Sequence, residues 1–189
     1  MRAVRLTEVG RSVVMQDIAV PEPGRLEALV RVKAAGICHS DAHYRSGVAR
    51  PAPLPVTFGH EVAGIVEMVG PDVTRVKPGD RVAVHYLVAC GDCHYCRCGQ
   101  EQFCPTGQMI GKHRDGGWAD FICMPERNLY AIPANVPLEH GAVMMCSSST
   151  SLHALKRARL AGGETVAVFG IGGLGASAVL LAKALGARE

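Results

Sequence analysis

Apolar and polar positions alternate through residues 27–34 (EALVRVKA), an apolar run fills 62–69, and 81–86 follows the turn Lys77-Pro78-Gly79-Asp80. These patterns predict β-strands. Further strands are expected at 118–124 and 129–132. The period changes near Leu138, where 138–160 (LEHGAVMMCSSSTSLHALKRARL) carries apolar residues at helical spacing. Two helices are predicted there, with a break at the polar run 147–151, because serine and threonine hydroxyls compete for backbone hydrogen bonds. Beyond Gly162-Gly163, the run 165–170 (TVAVFG) reads as a buried strand and 173–185 as an apolar, alanine-rich helix. A mainly β first part is thus followed by a β-turn-α unit.

The turn between that strand and helix is Gly170-Ile171-Gly172-Gly173-Leu174-Gly175, a G-x-G-x-x-G. In this context, backbone N–H groups and a helix N-terminus can hold a pyrophosphate. The plainer alternative is three glycines chosen only for tight strand-to-helix packing.

Composition narrows the function classes. The chain has 189 residues, 48% of them hydrophobic, enough for one packed domain and part of another. No apolar stretch reaches the roughly 18 residues of a membrane span. A net charge of +3 with scattered basic residues and 5% aromatics argues against a nucleic-acid partner. The N-terminus lacks an apolar secretory segment, so reduced thiols and a cytoplasmic location are expected.

Eight cysteines then change the picture, because four lie in one short run, CGDCHYCRCGQEQFC. Cys90, Cys93, Cys96 and Cys104 have the spacing C-x2-C-x2-C-x7-C. Four thiolates from one loop match the closed tetrahedral set of structural zinc. Disulfides and an iron–sulfur cluster are the competing uses; the ferredoxin pattern has three residues before its last cysteine where this chain has seven.

Upstream stand Cys38-His39-Ser40-Asp41-Ala42-His43 and Gly59-His60-Glu61-Val62-Ala63-Gly64. Taken singly, Cys38 reads as a small buried hydrophobe and His60 as a hydrogen-bonded core histidine. With the cysteine loop and the glycine turn they form a pattern that resembles the zinc-dependent alcohol dehydrogenases of the medium-chain dehydrogenase/reductase family. The signature G-H-E-x2-G-x5-G-x2-V is met by Gly59, His60, Glu61, Gly64, Gly70 and Val73.

The resemblance implies a GroES-like, mainly β catalytic domain with a structural-zinc lobe over 1–147. It implies the first β-α unit of a Rossmann domain over 148–189. Two Zn2+ ions per chain are expected, one held by the four-cysteine loop and one by Cys38, His60 and Cys146 with a position left open. Asp41 would orient His60, and Glu61 would ease ligand exchange. Ser40 and His43 would pass a proton outward. His39 would face the cofactor pyrophosphate and Thr150 the nicotinamide, with Gly170, Gly172 and Gly175 cradling NAD or NADP. The implied reaction is oxidation of a primary or simple secondary alcohol to an aldehyde or ketone by hydride transfer. Cysteine at position 146 favours that substrate class, since polyol-oxidising relatives often place glutamate there. Tyr86 matches an aromatic that lines the pocket.

Such a cofactor domain usually has six parallel strands, and this chain carries only the first strand and helix. The acidic residue that would grip the ribose falls beyond position 189, which leaves NAD and NADP open. A strand apolar on both faces needs neighbours. Self-association through that edge, completion by a second polypeptide, or disorder after about residue 160 is therefore expected. A second function class stays open: a zinc-binding remnant without dehydrogenase activity.

Overall fold

A computed structural model describes residues 1–188. Its elements run β1 (Arg2–Leu6), β2 (Val14–Asp17), β3 (Glu27–Ala35), α1 (His39–Ser46), β4 (Val56–Thr57), β5 (Val62–Val69) and β6 (Arg81–Val84). They continue with β7 (Leu87–Val88), α2 (His94–Arg97), β8 (Gln108–Met109), β9 (Phe121–Pro125) and β10 (Leu129–Ala131). Three helices close the chain: α3 (Leu138–Val143), α4 (Ser149–Arg157) and α5 (Gly173–Ala184). None is long and apolar enough to cross a membrane.

Five strands form an antiparallel sheet in the order β10-β6-β5-β3-β9, beside a small sheet β2-β1-β4 and the pair β7-β8. The long apolar run of β5 follows from its position. Val62 and Val66 face a core with Val30, Val82, Val84, Ile122 and Met124, while Ala63 and Ala83 on the opposite face pack with Ile132 and Ala142. A central strand covered on both sides has no polar face to alternate. Gly64 lies opposite Val32, and a Cβ there would run into the Arg31 carbonyl of β3.

Three expectations are corrected. Residues 165–170 form no strand, because among the described residues no strand lies beside them to complete a ladder. The serine run does not break the helices: α3 continues through a π-helical turn, Met144–Ser148, into α4. Its hydroxyls are satisfied locally, Ser149 Oγ donating to the Met144 carbonyl at 2.5 Å and Ser147 Oγ to the Val143 carbonyl at 3.4 Å. The strands expected at 81–86 and 118–124 occupy Arg81–Val84 and Phe121–Pro125. Helix α5 forms as expected and rests on α4 and the π turn, through Ser151 Oγ donating to the Leu174 carbonyl at 2.8 Å and Ser148 and Ser177 hydroxyls 3.4 Å apart.

Candidate metal centres

Three elements distant in sequence converge on one point. Cys38 is the residue before α1, His60 precedes β5, and Cys146 sits in the π turn. Helix α1 is fixed on the fold by buried Tyr44, edge-on to Phe58 with ring centres 6.2 Å apart. It ends where Gly47 adopts a left-handed conformation (φ 87°) and returns its N–H to the His43 and Tyr44 carbonyls.

The Cys38 and Cys146 sulfurs are 4.0 Å apart, and Cys146 Sγ lies 3.5 Å from His60 Nε2. With zinc–sulfur bonds of about 2.3 Å and zinc–nitrogen bonds of about 2.0–2.1 Å, a tetrahedron has S–S edges of about 3.8 Å and S–N edges of about 3.5 Å. The donor set therefore fits a tetrahedral ion. Buried Glu61 brings a carboxylate oxygen within 4.8 Å of the same atoms.

Electrostatics point the same way. Burial pushes the His60 imidazole down, but Asp41 and Cys146 outweigh it and lift it to about 11. Burial also raises the Cys38 thiol, and the Ser40 backbone and hydroxyl reverse this to a net lowering. His60 draws Cys146 down, whereas burial and the nearby Cys38 leave it raised. The Asp41 carboxylate and the thiols around His60 thus favour positive charge at this point.

Asp41 supports this arrangement from α1. One carboxylate oxygen accepts the Cys38 N–H at 2.9 Å, and the other lies 3.5 Å from His60 Nδ1. That approach is longer than a good hydrogen bond, and both atoms are buried without another partner. Ser40 Oγ is 3.6 Å from Cys38 Sγ. His39 and His43 lie on the exposed side of α1, their ring centres 4.7 Å apart. Tyr86 stands edge-on to His60 with ring centres 6.0 Å apart.

A second cluster gathers Cys90, Cys93, Cys96 and Cys104 within 4.8 Å. The Cys90–Cys96 and Cys93–Cys96 sulfur distances are 3.9 and 3.5 Å. Backbone amides already act on these sulfurs: Cys90 N–H donates to Cys104 Sγ at 3.3 Å and Cys93 N–H to Cys90 Sγ at 3.4 Å. The Cys90 amide and the Thr106 hydroxyl hold Cys104 down to about 6, while burial and the neighbouring thiols push Cys96 up to about 12. Thiols whose protons cannot leave together without a compensating cation suit a dication. No disulfide joins any of the eight cysteines.

Two residues that the sequence pattern does not single out hold the root of this lobe. Arg127 donates to the Ala89 carbonyl, and Asn128 Nδ2 donates to the carbonyls of His85 at 3.0 Å and Leu87 at 2.7 Å. Neither carries a motif signal.

The glycine turn opens α5 as expected, with Gly172 preceding the helix and a Cβ on Gly175 meeting the Gly170 carbonyl. Thr150 is exposed on α4, next to Ser151, which anchors that turn. The turn's other flank, 165–170, is bare, with Phe169 96% exposed.

Residues 24–134 match the family described as the alcohol dehydrogenase GroES-like domain. An NAD-dependent alcohol dehydrogenase of Sulfurisphaera tokodaii is 38% identical over 195 residues, which cover 98% of this chain and 56% of that protein. The thermostable alcohol dehydrogenase of Pyrobaculum aerophilum superposes with a TM-score of 0.93 at 35% identity, covering all of this chain and 57% of the other. Galactitol-1-phosphate dehydrogenase of Escherichia coli gives the same TM-score, 0.93, at 32% identity and 54% coverage of its own length. The chain spans about half the length of the relatives it matches.

Proposed function

Because this chain belongs to the family of the alcohol dehydrogenase GroES-like domain, we propose that it carries the catalytic half of a zinc-dependent, NAD(P)-dependent alcohol dehydrogenase. The convergence of Cys38, His60 and Cys146 from three separate elements carries this reading. Three donors with a fourth position open is the arrangement of catalytic zinc, and the four-cysteine set is the closed, structural one. Bound there, zinc supplies a Lewis acid that makes a hydroxyl more acidic.

The chain's own residues do the rest. Asp41, with an oxygen 3.5 Å from His60 Nδ1, would on slight closure accept that ring N–H and fix the tautomer, leaving Nε2 for the metal. Ser40, beside Cys38, takes the substrate proton and passes it toward His43 on the outer side of α1. Glu61 lies close enough to substitute briefly as a ligand. Gly170, Gly172 and Gly175 offer a dinucleotide pyrophosphate the N-terminus of α5, His39 faces it, and Thr150 contacts the nicotinamide. The domain division is 1–147 for the GroES-like catalytic part and 148–189 for the start of the cofactor domain.

Fold likeness does not choose the substrate, since an alcohol dehydrogenase and a polyol-phosphate dehydrogenase superpose equally well. Cysteine as third ligand supports a primary or simple secondary alcohol. The second reading is a chain that binds zinc through its cysteine clusters without turnover.

Zinc counting combined with nicotinamide reduction, using ethanol, a longer aliphatic alcohol and cinnamyl alcohol, separates the two. Turnover abolished in Cys38→Ala, with Cys93→Ala mainly losing stability, supports the enzyme. Two zinc ions with no turnover leaves the binding protein.

A further inference from the structure

We propose that His39 and His43 form a third metal site, a two-imidazole chelate for a divalent transition ion on the outer face of α1. The residues are one helical turn apart, so their side chains rise from the same face. Both are exposed, with ring centres 4.7 Å apart and ring planes inclined at 86°.

That separation is the telling quantity. A metal bound about 2.0–2.1 Å from an imidazole nitrogen lies about 3.2 Å from the ring centre. Two rings held at a cis angle of about 90–95° then have centres about 4.5–4.7 Å apart, the spacing found on α1. Paired histidines at i and i+4 of a helix are a recurrent zinc-binding device. Imidazole donors select zinc, nickel and copper over magnesium or calcium. With only two protein donors the ion keeps several waters, so the site is weaker and more exchangeable than either thiolate cluster.

The consequence for turnover rests on the proposed function. An ion here would occupy the imidazoles assigned to the pyrophosphate contact and to proton exit, so excess free metal would inhibit in competition with the cofactor.

The binding itself is tested without turnover. The zinc-loaded, desalted full chain is titrated with Ni2+ by calorimetry while retained zinc is counted. One additional Ni2+ per chain is expected, with affinity at least tenfold lower in His39→Gln and in His43→Gln and unchanged in His140→Gln and His153→Gln. Mapping of diethyl pyrocarbonate modification by mass spectrometry adds a readout on the unmodified sequence, in which Ni2+ should protect His39 and His43 together. Equal Ni2+ affinity in all four variants, or protection at other histidines alone, overturns the site. Nickel binding as described in a chain without turnover upholds the site and counts only against the enzyme reading.

Discussion

Asp41 divides one carboxylate between the Cys38 N–H and His60 Nδ1, and it is 4% exposed. On the proposed function, it positions two candidate zinc ligands at once. Outer partners of this kind typically set metal affinity by about 10–100-fold. Asp41→Ala should weaken zinc at the Cys38–His60–Cys146 site by about that factor and leave the four-cysteine site unchanged, as read by chelator competition on the two ions separately. Asp41→Asn, which keeps the shape and one acceptor oxygen but replaces the other with an NH2 donor, should lose less than Asp41→Ala and still bind more weakly than the native chain. His85 offers a pH test away from the metal ligands. Burial pushes its imidazole below the usual value, more than the Leu87 carbonyl at 3.3 Å from Nδ1 raises it. The folded state thus binds its proton less readily than the unfolded chain. The stability from keeping it neutral is complete above about pH 6.5 and is lost as pH falls through the window below that. Between pH 7 and 5.5 the unfolding midpoint of the native chain should therefore fall further than that of His85→Gln.

At the scale of elements, the signature glycine Gly64 belongs to the sheet and not to the chemistry. A methyl group there meets backbone of β3, which has no flexible end to yield. Gly64→Ala should cost about 1–3 kcal/mol, measured by denaturant unfolding of the zinc-loaded chain, because overpacking a central strand displaces its neighbour. β3, β5 and β6 were legible in the sequence since their burial imposes the pattern. Helix α1 was not, because HSDAHYRS buries only Asp41 and Tyr44 and shows no apolar period. Its signals were local, an acid in the first turn and Gly47 after the last. The four cysteines of 90–104 stand out by their spacing, whereas Cys38, His60 and Cys146 form a set in the sequence only through the family resemblance, because Cys38 and Cys146, 108 positions apart, are brought together by tertiary packing. The serine run misled for a related reason: its hydroxyls find the preceding turn and α5, a partner the local pattern does not reveal.

Across the whole molecule, the two candidate metal sites sit in parts with different support. The four-cysteine lobe is tied to the sheet by Arg127 and Asn128, while the π turn bearing Cys146 is backed by α5. Between α4 and α5 runs 165–170, without ladder partners and with Val166 and Val168 only half covered. Protection from amide exchange follows hydrogen bonding and burial, so three behaviours should separate. Amides of Val30, Val66 and Val82 should exchange slowest, whatever the metal content. Filling the Cys38–His60–Cys146 site should slow exchange across 144–157 and, through the serine contacts, across 173–184. Filling the four-cysteine site should slow 90–109 alone. Residues 165–170 should exchange near the rate of an unstructured peptide in every state. Zinc-dependent protection of 90–109 without any at 144–184 would show that α5 does not back the catalytic ligand, and would separate the two sites energetically.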